Sequence, residues 1–326
     1  MPADRMTERP ALLQLLPLTA ELDARLDATY ARTLAPADPA AREALLAARG
    51  GAFQALVTSA AFGVDDGLLA RLPALQVVSS FGVGLDRIDR AAAARRGVVV
   101  GYTPDVLNDC VADQAFGLLL AVARRLPAAD RYVRAGRWDG PPSAGRFPLG
   151  RRVSGAKLGI VGLGRIGRTI ARRAGGFDMA VRYHSRRAVP DVPWQHEPSL
   201  RALAAWCDFL VVITAGGAET RHLIDAAVLD ALGPQGFLVN VARGSVVDEA
   251  ALVQALADGR IAGAGLDVFE HEPQVPEALR AMDHVVLAPH TASATIETRR
   301  AMGERVADNL DAWFRERRLV SAAPAP

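Results

Sequence analysis

Along almost the whole chain, short runs rich in β-branched and other apolar residues alternate with longer amphipathic segments. The early runs are residues 11–16, 52–59, 75–81 and 98–102, with helix-like stretches between them at 40–49 and 86–96. A second series begins at Lys157, with strand candidates at 157–161, 179–183, 209–214, 237–241, 263–268 and 285–288. Strands that alternate with helices argue for βαβ units and parallel sheets. The expectation is therefore an α/β protein. Its 326 residues correspond to about two domains.

Two long apolar segments complete the pattern. Residues 105–125 (DVLNDCVADQAFGLLLAVARR) predict one long helix, apolar enough to be buried between domains. Residues 293–317 place Ile296, Met302, Val306, Leu310 and Trp313 at helical spacing and predict a terminal helix, followed by a frayed tail. A loop-rich segment, 135–152, carries Trp138 and Phe147.

Composition narrows the chemistry. Half the residues are hydrophobic and 23% are charged, as in a folded globular protein. Lys157 is the only lysine, so any Schiff-base chemistry would have to use it. At the start of a strand it is expected at the surface. Cys110 and Cys207 are too few for a cysteine zinc site or a disulfide framework, and no metal is expected. With 38 basic and 36 acidic residues the net charge is +2, and no basic block favours nucleic acid. No run reaches the ~18 apolar residues of a membrane span, and the start of the chain reads as a cytosolic N-terminus. A cytoplasmic protein without membrane or nucleic-acid partners is expected.

The sharpest motif is KLGIVGLGRIG, residues 157–167. An apolar strand runs into Gly162, Gly164 and Gly167, and a helical pattern follows through Ile166 and Ile170. In a dinucleotide-binding turn the first glycine permits the sharp bend. The second lets the pyrophosphate approach, and the third lets helix and strand pack closely. Free N–H groups at the helix start, at Arg165 and Ile166, would face the anion. An NAD-binding protein of this type ends its second strand in an acid for the ribose. This chain instead has Tyr183, His184, Ser185, Arg186 and Arg187. A hydroxyl and two guanidiniums suit a 2′-phosphate. NADP(H) is therefore expected over NAD(H).

Three later segments carry polar residues at strand ends: LVNVARGSVVDE (238–249), GAGLDVFEHEP (263–273) and VVLAPHTASAT (285–295). Arg243 could hold a carboxylate by paired hydrogen bonds. His290 could give a proton to a carbonyl oxygen, and an acid from the turn with Asp267, Glu270 and Glu272 could stabilise the imidazolium. Spacing alone does not bring these residues together. His196, His222, His271 and His284 lie in polar stretches and read as solvated.

These motifs together, GLGRIG, VNVARGSVVDE, GLDVFEHEP and APHTASAT, resemble the D-isomer-specific 2-hydroxyacid dehydrogenases across roughly residues 57–314. SSFGVGLDRID, TPDVLNDCVAD, RYVRAGRW and ALGPQGFLVN are most similar to the NADP-using hydroxypyruvate/glyoxylate and hydroxyphenylpyruvate reductase branch. The resemblance implies two Rossmann-like or flavodoxin-like parallel-sheet domains separated by a cleft. Residues 1–101 plus 291–326 would form the substrate domain, and 102–290 an inserted dinucleotide domain that builds a homodimer. Arg243, Glu272 and His290 match the family's catalytic residues. The backbone amides of Val83 and Gly84, with Arg243, match its substrate-carboxylate site. Trp138 matches a tryptophan that in some relatives enters the neighbouring subunit's site. Cofactor contacts fall on Gly162, Gly164, Arg165, Ile166, Gly167, Ser185, Arg186, Arg187, Thr214, Val241, Ala242, Asp267, His290 and Ala292. Asn108 stands where many relatives have threonine.

The implied reaction is NADPH-dependent reduction of a small 2-oxo acid to the D-2-hydroxy acid, with His290 as proton donor. Phe81, Leu85 and Trp138 are the expected walls of the side-chain pocket. Two alternatives stay open from the sequence. One is a dinucleotide-sensing regulator on the same fold. The other is a sibling NAD-dependent dehydrogenase of the phosphoglycerate or aryl-pyruvate kind.

Overall fold

The computed structural model describes residues 9–139 and 147–326. The chain divides into two compact units, Met1–Leu107 with Ala294–Pro326, and Asn108–Ser293. Twelve strands occur among the described residues: β1 (Ala11–Gln14), β2 (Ala31–Leu34), β3 (Ala55–Ser59), β4 (Val77–Phe81), β5 (Val99–Gly101), β6 (Lys157–Val161), β7 (Ala180–His184), β8 (Gln195–His196), β9 (Phe209–Val212), β10 (Phe237–Asn240), β11 (Gly263–Leu266) and β12 (Val285–Leu287).

The first unit holds a parallel sheet in the order β2-β1-β3-β4-β5, the flavodoxin-like order. Strands β3 and β4 are buried at every position, which is why they read as continuous apolar runs. Strand β2 has no fully buried residue and lies at the sheet edge. Its sequence, ARTL, carries no apolar run that would announce a strand. The helix Ile296–Glu316 starts where Thr295 caps the Thr298 amide, and it packs on β4 and on the helix Ala20–Thr29. Val306 and Leu310 are wholly buried there, and Ser79 donates to the Val306 carbonyl.

The tail does not fray. Tyr102 donates to the Ser321 carbonyl and Ala323 to the Val100 carbonyl, so the tail lies antiparallel along β5. The buried Asn309 holds it. Its amide donates to Tyr102 and its carbonyl accepts from the Ser321 backbone at 2.9 Å. The apolar composition of the tail gave no sign of this hydrogen-bonded edge.

The second unit holds a seven-stranded parallel sheet, β12-β11-β10-β9-β6-β7-β8. The order reverses between β6 and β9, and at such a switch point open α/β sheets bind ligands beyond the strand carboxyl ends. The helix expected over residues 105–125 is Asn108–Ala123, and a second helix, Leu126–Arg134, follows it. The break falls where Arg125 adopts a left-handed backbone (φ 55°) and Pro127 opens the next helix. The first of these helices packs on β10 and β11, and Leu118 lies against Gly265, so its apolar face is consumed within this unit. Lys157 is exposed at the start of β6, with its ammonium over the Trp206 ring.

Asn309 yields a stability prediction. Asn309→Ala leaves the Ser321 amide without its buried partner and takes one of two donors from the Tyr102 carbonyl, which keeps Ser321 Oγ. It should lower unfolding stability by about 1–3 kcal/mol, read as a reduced urea midpoint.

Candidate active site

Strand β6 delivers the glycine turn to the switch point. Gly162 has φ +101°, and a Cβ there would come within 2.9 Å of the Thr214 backbone. A Cβ on Gly167 would come within 2.1 Å of the Gly162 carbonyl oxygen, so helix and strand touch backbone to backbone. Gly164 differs, because a Cβ there would meet nothing within 4 Å. The turn therefore leaves open space above a ten-residue helix, Arg165–Ala174, whose first turn has no side-chain cap. That combination fits the pyrophosphate of a dinucleotide. Ile166 is half-buried and Arg165 exposed at the helix start.

The tip of β7 has no carboxylate of its own. His184 Nδ1 bonds to the Glu197 carbonyl, and His196 Nε2 to the Ser185 carbonyl. His196 is therefore a structural partner of this turn, not a merely solvated residue. Ser185 Oγ donates to the Arg187 carbonyl at 2.6 Å. Arg186 and Arg187 are both exposed, and Arg186 pairs with Glu219.

Three strand ends build the polar centre. After β10, Asn240 braces the turn that carries Arg243. Its carbonyl accepts from the Ala242 amide and its amide donates to the Arg243 carbonyl. The Arg243 guanidinium donates to the Ala242 carbonyl at 2.8 Å, and Val241 and Ala242 are buried. After β11, Asp267 is wholly buried. Its carboxylate accepts from the Thr291 and Ala292 amides at 2.8 and 2.9 Å. Burial pushes this carboxyl above the ordinary range against the pull of those amides. After β12, His290 has a left-handed backbone (φ 54°), and its amide donates to the Asp267 carbonyl.

The turn after β11 also brings Glu272 to His290, with Oε2 to Nδ1 at 2.8 Å. The other carboxylate oxygen accepts from the Phe269 amide. Burial works to raise the Glu272 carboxyl. The hydrogen bond and charge of His290, the Phe269 amide and the charge of Arg243 outweigh it and hold it below the ordinary range. The carboxylate is thus kept ionised beside an imidazole whose Nε2 remains for another partner. A pocket of about 340 Å³ adjoins the pair, with Phe269, Val275, Leu287 and Pro289 as apolar walls. Among the described residues, no group of three or more His, Cys, Asp or Glu is placed to hold a metal ion.

The remaining sequence candidates have separate surroundings. Val83 and Gly84 follow Gly82 after β4 in the first unit, and the Gly82 amide is held by Thr103 Oγ1. Phe81 is buried with the Arg299 guanidinium over its ring, so it offers little surface as a pocket wall. Leu85 packs partly on the first unit's core, and Trp138 is 74% exposed. His222 is not a solvated residue, because its Nε2 lies 2.8 Å from a Glu270 carboxylate oxygen. The sequence reading missed His222 and Asn240. Asn240 was detectable in principle as the last residue of a buried strand, whereas nothing in the sequence links His222 to a partner 48 positions away.

The family profile described as D-isomer specific 2-hydroxyacid dehydrogenase, NAD binding domain, matches residues 116–292. Glyoxylate/hydroxypyruvate reductase A of Arabidopsis thaliana is 43% identical over 96% of this chain and 99% of its own length. Hydroxyphenylpyruvate reductase of Plectranthus scutellarioides is 44% identical over the same shares. Among solved structures, the NADPH-dependent glyoxylate/hydroxypyruvate reductase of Sinorhizobium meliloti, in complex with NADP and malonate, superposes with a TM-score of 0.91. It is 43% identical and covers 98% of both chains. The chain belongs to the D-isomer specific 2-hydroxyacid dehydrogenase family and is one of its NAD(P)-dependent oxidoreductases.

Proposed function

We propose that the protein reduces a small 2-oxo acid of the glyoxylate or hydroxypyruvate type to the D-2-hydroxy acid, with NADPH as reductant. The observation that carries this reading is the Glu272–His290 hydrogen bond, with the charge of Arg243 reaching the same carboxylate. The bound dinucleotide supplies the hydride. His290 gives a proton from Nε2 to the carbonyl oxygen, and Glu272 orients the ring through Nδ1. Arg243 holds the substrate carboxylate and stabilises negative charge as it develops on the oxygen.

Gly162, Gly164, Arg165, Ile166 and Gly167 would hold the pyrophosphate. Thr214, Val241, Ala242, Asp267 and Ala292 would line the rest of the dinucleotide. Ser185, Arg186 and Arg187 favour the 2′-phosphate of NADPH, since β7 ends without an acid that would repel it. The S. meliloti relative, NADPH-dependent by name, supports the same preference. The apolar pocket beside His290 supports including an aryl pyruvate in any substrate panel.

We also infer a homodimer. Leu126 and Val133 on the helix Leu126–Arg134, and Trp138 and Leu149 farther along the chain, are exposed large apolar residues that a second copy would cover. Trp138 would then reach the partner's substrate site.

Turnover of glyoxylate, hydroxypyruvate and hydroxyphenylpyruvate with NADPH and NADH, followed by cofactor absorbance, tests the reading directly. Failure on every 2-oxo acid would overturn it. His290→Ala should cost about 10²–10⁴-fold in kcat. Glu272→Gln should lower kcat by about tenfold or more in the same assay, because the imidazole loses the carboxylate that orients it. In the wild type Glu272 is held below the ordinary range, so the pair persists as pH falls toward 4.5 and is lost only below it. Arg186→Ala with Arg187→Ala should raise KM for NADPH by about tenfold or more and leave KM for NADH within about twofold. Trp138→Ala should raise KM for the 2-oxo acid while sedimentation still reports a dimer.

A further inference from the structure

We propose that Glu270 is a positioning residue that ties the turn carrying Arg243 to the turn carrying Glu272. This rests on the roles of Arg243, Glu272 and His290 given above. Glu270 stands two residues before Glu272, yet its side chain faces a different set of partners. One carboxylate oxygen accepts from the Arg221 guanidinium and from His222 Nε2, both at 2.8 Å, and the side chain is only 10% exposed. The Glu270 amide donates to a Glu249 carboxylate oxygen at 3.2 Å.

Arg221 and His222 lead into the segment that supports the Arg243 turn. The His222 amide donates to the Ser245 carbonyl, and the Ile224 amide to the Val246 carbonyl. His222 has a left-handed backbone (φ 50°), a conformation that neighbouring contacts must hold. The same short segment therefore grips residues 245 and 246 with its backbone and Glu270 with its side chains.

The two turns also meet directly. A Cβ on Gly244 would lie 1.9 Å from the Phe269 carbonyl carbon and 2.3 Å from the Glu270 nitrogen. No side chain lies between the turns to absorb a shift. The Phe269 amide holds Glu272. A displacement of the Phe269–Glu270 peptide therefore moves Gly244, beside Arg243, and also the donor that fixes the Glu272 carboxylate.

The surrounding charges favour an ionised Glu270. Arg221 and His222 face it directly, Glu249 opposes it, Asp248 faces the other ring nitrogen of His222 at 4.0 Å, and His271 acts on Glu249. Burial works to raise the Glu270 carboxyl, but His222 and Arg221 hold it below the ordinary range. A surface loop staple would need no such set of partners, since exposed ion pairs contribute little.

The test compares wild type, Glu270→Ala and Glu270→Gln by amide hydrogen exchange without ligands and by kinetics with glyoxylate and NADPH. Glu270→Ala should speed exchange in residues 244–247 by about tenfold and leave β6 unchanged. It should raise KM for glyoxylate by about tenfold with KM for NADPH within about twofold. Glu270→Gln, which keeps the shape and loses the charge, should fall between, and it carries both measurements if the alanine variant does not fold. Unchanged exchange in residues 244–247, or an equal increase across the second unit with KM for glyoxylate unmoved, would overturn the proposal. A wild type that reduces no 2-oxo acid would instead overturn the functional reading, and the exchange result would still decide whether Glu270 ties the turns.

Discussion

Asp267 is wholly buried, and both of its carboxylate oxygens accept backbone amides from the residues that follow His290. A buried carboxylate costs stability unless such donors satisfy it. Here they also fix the path of the chain. With its amide on the Asp267 carbonyl, His290 is held in a left-handed conformation that presents Nδ1 to Glu272. The geometry of the Glu272–His290 pair thus depends on a carboxylate outside the pair. Parallel strands supply the remaining order, because Arg243, Glu272 and His290 all follow the carboxyl ends of neighbouring strands in one sheet.

Much of this was legible in the sequence because it follows from local pattern. Strand β6 occupies the predicted residues 157–161, and the cores of β9, β10 and β11 lie inside the predicted runs, because buried parallel strands are continuously apolar. The glycine turn was legible too: Gly162 and Gly167 answer distinct steric demands of the backbone, whereas Gly164 leaves open space. What escaped depends on partners distant in sequence. The second helix, Leu126–Arg134, follows a left-handed Arg125, which composition does not announce. The tail of alanine and proline is ordered by Asn309, a polar residue within an apolar helix face. His222 looked like a solvated histidine until the fold brought Glu270 to it.

The arginine richness also gains a physical reading. Arg25, Arg32, Arg71, Arg96, Arg173 and Arg260 each pair with a surface aspartate or glutamate. Pairs of this kind add little stability individually. They do account for a nearly neutral chain whose local fields are set at a few positions, such as Arg243 beside Glu272 and Arg186 beside Glu219. Net charge is therefore a poor guide to where this protein would hold an anion.

The division of the chain has a consequence for biosynthesis. The second unit is one continuous stretch, so all its strands are available once residue 293 has been made. The first unit is not, because Val306 and Leu310 belong to its core and Ser321 covers the edge of β5. During synthesis, the N-terminal sheet must wait with an apolar face and an open strand edge while the whole second unit is translated. Exposed edges of this kind invite association with other chains. The growing polypeptide is thus most vulnerable to aggregation at its oldest part, and the terminal helix is the segment whose arrival ends that exposure.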